Sequence, residues 1–302
     1  MEATMELVVM VKAKRKPLGS TSPSGRYKKV AEGKWVLVKN HTAPSVHKNL
    51  PDHIRELRIP PAWTDVQYNR DPKAELLVKG KDKKGRTQYV YSAKHITSKA
   101  SAKFTRINAL NESYDQLVTE NNKNLDAGRE EAVVLGLILK TGMRPGTTKN
   151  TQAEKQAYGA TTLLGKHVRV TKKGVRLVFV GKKGVDLDIP VSDPKIANEL
   201  MKRKVSAGPN RRIFSTTAPQ LLKYTSSLDG KGFRTKDLRT HLATKIALAK
   251  MATMSAPTTM KEYKKAVREV AKSVASRLGH TPTVSLQSYI NPAVFTKWKA
   301  NL

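Results

Sequence analysis

The chain has 302 residues, 57 of them Lys or Arg against 24 Asp or Glu, for a formal charge of +33, and 38% are apolar. Length and apolar content suffice for two ordinary domains, and a field of this size and sign selects a polyanion, of which nucleic acid is the commonest soluble one. The absence of cysteine excludes disulfides, thiolate catalysis and cysteine-bound zinc, and no Gly-x-x-x-x-Gly-Lys-[Ser/Thr] run supports nucleotide hydrolysis.

No apolar run approaches about 18 residues, and Met1–Met10 lacks a basic stretch ahead of its apolar residues, so neither a membrane span nor a secretory signal is expected. The protein is expected to remain intracellular. The seven histidines form no His-x-x-Glu-His or His-Glu-x-x-His grouping, and no cofactor is expected. From Lys12 to Lys29 the chain mixes Pro, Gly, Ser and positive charge, which predicts a mobile basic arm or loop.

Short strands are predicted at Trp35–Val38 and Ala74–Lys79, and at Thr87–Ser92 after the Lys84-Gly85 turn signal, which makes 1–102 a small β-rich domain. From Lys103 the period becomes helical. A first helix is predicted over Ala102–Val118, and Glu130–Lys140 carries Val133, Val134, Leu137 and Ile138 before Thr141-Gly142 stops it. Strands at His167–Val170, Val175–Val180 and Val185–Ile189, separated by Lys172-Lys173-Gly174 and Gly181-Lys182-Lys183-Gly184, predict a three-stranded meander.

Helices resume at Lys236–Met251, where Leu238, Leu242 and Ile246 recur every fourth residue, and at Met260–Leu278. In the latter, Thr259 and Glu262 form a capping-box pattern and Tyr263, Ala266, Val267, Val270, Ala271, Val274 and Leu278 make one apolar stripe. Gly279 is placed to end that helix in a left-handed cap, which holds His280 just past it.

The chemistry-bearing residues follow from what strand cleavage by a side chain needs. It requires a nucleophile, donors to the non-bridging phosphate oxygens and an acid for the departing oxygen. Tyr289, nine residues after His280, supplies a phenol, a poor nucleophile at an ordinary pKa near 10 unless cations surround it. Arg144, in Thr141-Gly142-Met143-Arg144-Pro145-Gly146, and Arg239, in Lys236-Asp237-Leu238-Arg239-Thr240, offer planar, permanently charged donors; Lys236 lies one helical turn before Arg239. Lys182 sits at the predicted hairpin tip, with Lys183 as its neighbouring competitor. Singly, the arginines read as solvated basic residues, Lys182 as a turn residue, His280 as a helix-end residue and Tyr289 as half-buried core. The order Arg, Lys, Lys-x-x-Arg, His, Tyr is what joins them.

From about Ile59 to Asn291 the chain resembles the small, poxvirus-like group of type IB DNA topoisomerases, which also occurs in bacteria and large viruses. The resemblance is carried by Ile59-Pro60-Pro61-Ala62-Trp63-Thr64-Asp65-Val66, Lys84-Gly85-Arg86-Thr87-Gln88-Tyr89-Val90-Tyr91, Thr141–Gly146, Tyr158-Gly159-Ala160-Thr161-Thr162-Leu163-Leu164, Phe179–Lys182, Lys236–Thr240 and Leu278–Tyr289, in the family's order and approximate spacing. It implies an α+β protein: the β-rich domain 1–102 and a mainly α-helical catalytic domain, 103–302, bearing the meander, together forming a clamp around duplex DNA. It also implies a monomer that relaxes supercoils of either sign through a 3′-phosphotyrosyl intermediate, without ATP or metal. Tyr289 would be the nucleophile, Arg144, Arg239 and His280 the phosphate clamp, and Lys182 the general acid assisted by Lys236. Gln88, Tyr89, Tyr91 and Lys149 would contact DNA.

Two positions depart from the group's pattern: Asn150 stands where a tyrosine is usual and Thr244 where an asparagine often follows the second arginine. Two rival readings remain at this level. A tyrosine recombinase usually shows His-x-x-Arg where this chain has Lys236-x-x-Arg239, and an architectural DNA binder would bind without forming a covalent complex.

Overall fold

Strand β1 (Trp35–Leu37) is followed by two short helices, α1 (Pro44–Lys48) and α2 (Asp52–Arg55), and by strands β2 (Thr64–Asn69), β3 (Leu76–Lys81) and β4 (Thr87–Tyr91). The computed structural model describes residues 35–152, 156–229, 233–300 and 302; the basic arm expected at Lys12–Lys29 lies outside them. The four strands pair antiparallel in sequence order. Ile54, Ile59, Trp63, Val66 and Val78 form the core beneath them. Within the Ile59–Val66 motif, Ile59, Trp63 and Val66 are thus packing residues, while Pro61, Ala62, Thr64 and Asp65 are exposed. Trp63 lies so close to Gly80 of β3 that a Cβ there would meet its ring at 2.8 Å. The β3–β4 turn closes on Asp82, whose carboxylate accepts from the backbone of Lys84 and Arg86 and from the Arg86 guanidinium, while Gly85 takes φ +70°.

Helix α3 spans Ala93–Asp126, so the helix expected from Ala102 begins earlier. Residues 93–101 are rich in Lys, Ser and Thr and carry too little apolar periodicity to announce a helix. The chain divides into two compact units between Lys103 and Phe104, within this helix. In the second unit, α4 (Glu130–Thr141) is buried on nearly every face from Ala132 to Leu139 and serves as the central rod. Gly136 lets Ile196 of a later helix approach; a Cβ there would meet its Cδ1 at 2.8 Å.

After α5 (Thr148–Thr151), strands β5 (Val168–Thr171), β6 (Gly174–Gly181) and β7 (Val185–Val191) form the antiparallel meander. Helices α6 (Pro194–Ala207), α7 (Ala218–Asp229), α8 (Thr235–Ala252), α9 (Met260–Leu278), α10 (Pro282–Ser288) and α11 (Thr296–Ala300) complete the unit. The architecture is α+β: a small antiparallel sheet, then a mainly helical body with a second sheet. Among the described residues no helix is long and apolar enough to cross a membrane.

Candidate active site

Three chain reversals converge here, each terminating a helix or strand. The first follows α4. Gly142 takes φ +68° and closes the helix by donating to Ile138 O at 2.8 Å. The next residues are strapped down by the Tyr158–Thr162 segment: Ala160 donates to Arg144 O at 2.9 Å and Thr161 to Pro145 O at 2.7 Å. Gly159 sits so tightly on this backbone that a Cβ would meet Gly146 N at 2.6 Å. The Arg144 backbone is therefore fixed on both sides, and its side chain is half-buried.

The second reversal ends α9. Thr259 caps its start by accepting from Glu262 N, and Gly279 ends it at φ +62°. His280 follows, then Thr281 and Pro282 begin α10, and Tyr289 caps that helix by donating its N–H to Ser285 O at 3.0 Å. His280 and Tyr289 thus stand at opposite ends of a two-turn helix, with ring centroids 4.9 Å apart. The third reversal is the β6–β7 turn, in which Gly184 N–H bonds to Gly181 O at 3.1 Å and Lys182 stands exposed.

Arg239, on α8, ties the first two together. It is 4% exposed and has no carboxylate partner among the described residues. Its Nη1 donates to Gly142 O, and its Nη2 to Leu278 O at 2.5 Å and to His280 Nδ1 at 3.0 Å. Those carbonyls lie at the C-termini of α4 and α9, where the helix dipoles are negative. Two helix ends, and no anion, hold this buried cation, so its positive charge stays available to an incoming ligand. Its Nε–H is buried and has no acceptor among the described residues.

The same contacts fix the histidine tautomer. Arginine has only donors, so Nδ1 of His280 is the acceptor and the ring proton sits on Nε2, donating to Ser285 Oγ at 3.0 Å. Burial, then the charges of Arg239 and Arg144, lower the His280 pKa to about 4. The ring is neutral at pH 7 and offers an N–H, not a charge. Tyr289 is 7% exposed; its hydroxyl accepts from Arg144 Nη2 at 3.2 Å, and the Arg239 guanidinium carbon stands 5.0 Å from its ring centroid. Burial alone would raise the phenol, but the charges of Arg144 and Arg239 and the hydrogen bond from Arg144 outweigh it and leave the pKa below its ordinary value.

Arg144, Lys182, Arg239, Tyr158, Leu187 and Gly279 line one cavity of about 380 Å³. Although Lys182 is exposed as a residue, desolvation is the first cause of its lowered pKa, followed by the charge of Arg144, with Lys183 and Lys236 adding smaller repulsions. Arg239 is lowered to about 10, first by burial and then by Arg144. Lys236 is exposed in the first turn of α8. Beside it, Asp237 accepts from Arg106 Nε at 2.6 Å and Nη2 at 3.0 Å, and from Arg234 N at 3.1 Å. This pair anchors the start of the helix that carries Lys236 and Arg239. Neither the Arg106–Asp237 pair nor Ser285 stands out in the sequence.

The structure thus brings Arg144, Arg239, His280 and Tyr289 together, with Lys182 on the shared cavity. In the first unit, Gln88 is buried and donates to Asp82 at 2.9 Å, while Tyr89 and Tyr91 are half-buried. The Tyr91 ring stacks on His95 at 5.0 Å. Lys149 is exposed on α5.

A buried phenol beside two guanidiniums is an arrangement for nucleophilic attack on an anionic ester. The family model for the catalytic core of eukaryotic DNA topoisomerase I matches residues 92–301, more than half the chain, and that for the N-terminal domain of bacterial DNA topoisomerase IB matches 36–82. The chain belongs to the type IB DNA topoisomerase family. Its class of enzyme is therefore an isomerase. Among relatives of this topoisomerase, the DNA topoisomerase 1B of Acanthamoeba polyphaga mimivirus is 29% identical over 88% of this chain and 85% of its own length. Vaccinia virus (strain Copenhagen) DNA topoisomerase 1B is 24% identical over 78% of each chain. The DNA topoisomerase 1 of rabbit fibroma virus (strain Kasza) is 26% identical over 86% of this chain and 85% of its own.

Proposed function

We propose that this topoisomerase relaxes duplex DNA of either supercoil sign by reversible cleavage of one strand. Tyr289 gives up its phenolic proton to water and its Oη attacks the scissile phosphorus in line. The bond from phosphorus to the 5′ oxygen breaks, leaving a 3′-phosphotyrosyl link, and the proton on Lys182 passes to the departing 5′ oxygen. Arg144, the unused N–H groups of Arg239 and the Nε2–H of His280 donate to the non-bridging oxygens; His280 exchanges Ser285 for phosphate to do so. Lys236 assists Lys182. One phosphodiester replaces another of similar energy, so resealing needs no ATP, and fixed cations do the work of a metal. The free end rotates before the reverse reaction restores the strand.

The observation that carries this reading is the Arg144–Tyr289 hydrogen bond with Arg239 beside it, because it acts on the phenol in the direction nucleophilic attack requires. The lowered Lys182 pKa supports the acid role in the same way, since an acid closer to the working pH transfers its proton more readily. The two units close as a clamp on DNA, with Gln88, Tyr89, Tyr91 and Lys149 on groove and backbone; Gln88 exchanges Asp82 for DNA. The protein acts as a monomer in an intracellular, DNA-associated setting. Binding weakens steeply with salt, as a charge of +33 demands.

Plasmid relaxation in excess chelator without nucleotide tests the proposal. Wild type relaxes both supercoil signs, and Tyr289→Phe binds the plasmid but leaves it supercoiled. Dependence on a divalent metal, or relaxation by Tyr289→Phe, overturns it.

A further inference from the structure

Two glycines of the site lean on one leucine. Leu187 of β7 pairs across the sheet with Phe179 of β6 and packs against the core of the second unit. Its Cδ1 lies where a Cβ on Gly181 would meet it at 2.7 Å, and its Cδ2 lies tighter still against Gly279. Gly181 precedes Lys182, and Gly279 precedes His280. A single isopropyl group therefore bears on the backbone of the hairpin turn and on the end of α9, and it lines the cavity it shares with Arg144, Lys182 and Arg239.

The turn has modest support of its own. Lys182, Lys183 and Gly184 are exposed, and Lys183 holds φ +69°, a conformation costly for a residue with a side chain. Tyr158 N–H bonds to Val180 O at 2.8 Å and steadies β6 just before the turn. Beyond that point, the wedge under Gly181 ties this backbone to the helix end carrying His280.

We infer that Leu187 is a positioning residue that sets the Lys182 ammonium against the cationic cluster. This rests on the proposed role of Lys182 as the acid. Truncating Leu187 removes the wedge from both glycines, but the end of α9 stays held by Arg239 through Leu278 O and His280 Nδ1, so it is the turn that settles toward the space left. A displacement of about 1 Å at a group that must meet a departing oxygen costs on the order of 10²-fold in rate.

The test is single-turnover cleavage of two duplexes that differ in the bridging 5′ atom, oxygen or sulfur. A 5′ thiolate departs without a proton, so a defect confined to proton delivery vanishes on the sulfur duplex. Leu187→Ala should cut the oxygen duplex about 10²-fold more slowly than wild type and the sulfur duplex within about 3-fold of it. Leu187→Met, which refills the space, should recover most of the oxygen rate. Should the alanine variant fail to fold, Leu187→Val shows the same selective loss to a smaller degree. Equal losses on both duplexes, or no loss on oxygen, overturn the inference. Lys182→Ala separates the two layers: if sulfur does not restore that variant, the acid reading falls with everything built on it. If sulfur restores Lys182→Ala but not the Leu187 variant, the wedge inference alone falls.

Discussion

Replacing Arg239 by methionine separates what this cation does for the fold from what it does for chemistry. The change strips donors from Gly142 O, Leu278 O and His280 Nδ1. An unsatisfied buried acceptor costs about 1–2 kcal/mol where, as at these helix ends, the shorter apolar side chain leaves room for water. Against this, a guanidinium held at about 10 in place of 12.5 carries about 3 kcal/mol of unfavourable free energy in its charged form, which methionine removes. The effects largely offset, leaving a net loss of about 0–3 kcal/mol. Cleavage, by contrast, loses a preorganised cation at the phosphate and falls about 10²–10³-fold. Urea unfolding followed by circular dichroism reads the first quantity and single-turnover cleavage of a short duplex the second. A variant destabilised by more than about 5 kcal/mol would mean that Arg239 is a structural keystone, and cleavage within 10-fold of wild type would mean that it is not part of the chemistry; either result refutes the reasoning.

Asp237→Asn leaves Arg106 without its carboxylate while keeping an acceptor for Arg234 N. Because Asp237 is 2% exposed but the Arg106 side chain is 30% exposed, the expected loss is about 2–3 kcal/mol, below that of a fully buried pair. The Arg106→Met/Asp237→Asn double variant should recover part of it in urea titrations, and a loss equal to the sum of the two single losses would contradict a direct coupling. His280 and His167 are both held at about 4, chiefly by burial, against an ordinary value of 6.5. Between about pH 6.5 and 4 the unfolded chain binds protons that the folded chain does not, so stability falls as pH falls, by up to about 1.4 kcal/mol per pH unit for each histidine. Urea midpoints between pH 7.5 and 5 should show this slope, and His280→Asn should lessen it by one histidine's share; an unchanged slope in that variant would contradict a neutral, half-buried His280.

Much of the fold is legible in the sequence where periodicity and caps agree. Met260–Leu278 is the clearest case: the Thr259 cap, the apolar stripe and Gly279 all act at the positions that the pattern predicts. The meander is equally readable, because glycine turns punctuate its alternating strands. Helices α6 and α7 go unpredicted although Ile196, Leu200 and Met201 in the one, and Leu221, Tyr224 and Leu228 in the other, recur at helical spacing, and Asp193-Pro194 opens α6 as a cap. Strand β2 is hidden by a register shift and by Asp65 at φ +50°, which interrupt its alternation.

The candidate site is legible as a set of residue types but not as a mechanism of support. What holds Arg239 is backbone carbonyl at two helix ends, which no side-chain pattern announces. Ser285, which holds the His280 proton, is one serine among many, and the Arg106–Asp237 pair spans 131 residues of sequence. The Tyr158–Leu164 motif, conspicuous in the sequence for its resemblance, acquires a physical role only in three dimensions, as the strap across Arg144.

The most direct test of the account is to trap the protein on a suicide duplex that loses its 5′ fragment on cleavage, digest the adduct and locate the attached nucleotide by mass spectrometry. The account predicts a single aryl phosphate on Tyr289, linked to the 3′ end of the cut strand. A nucleotide on any other residue, a 5′ linkage, or binding with no adduct would contradict it.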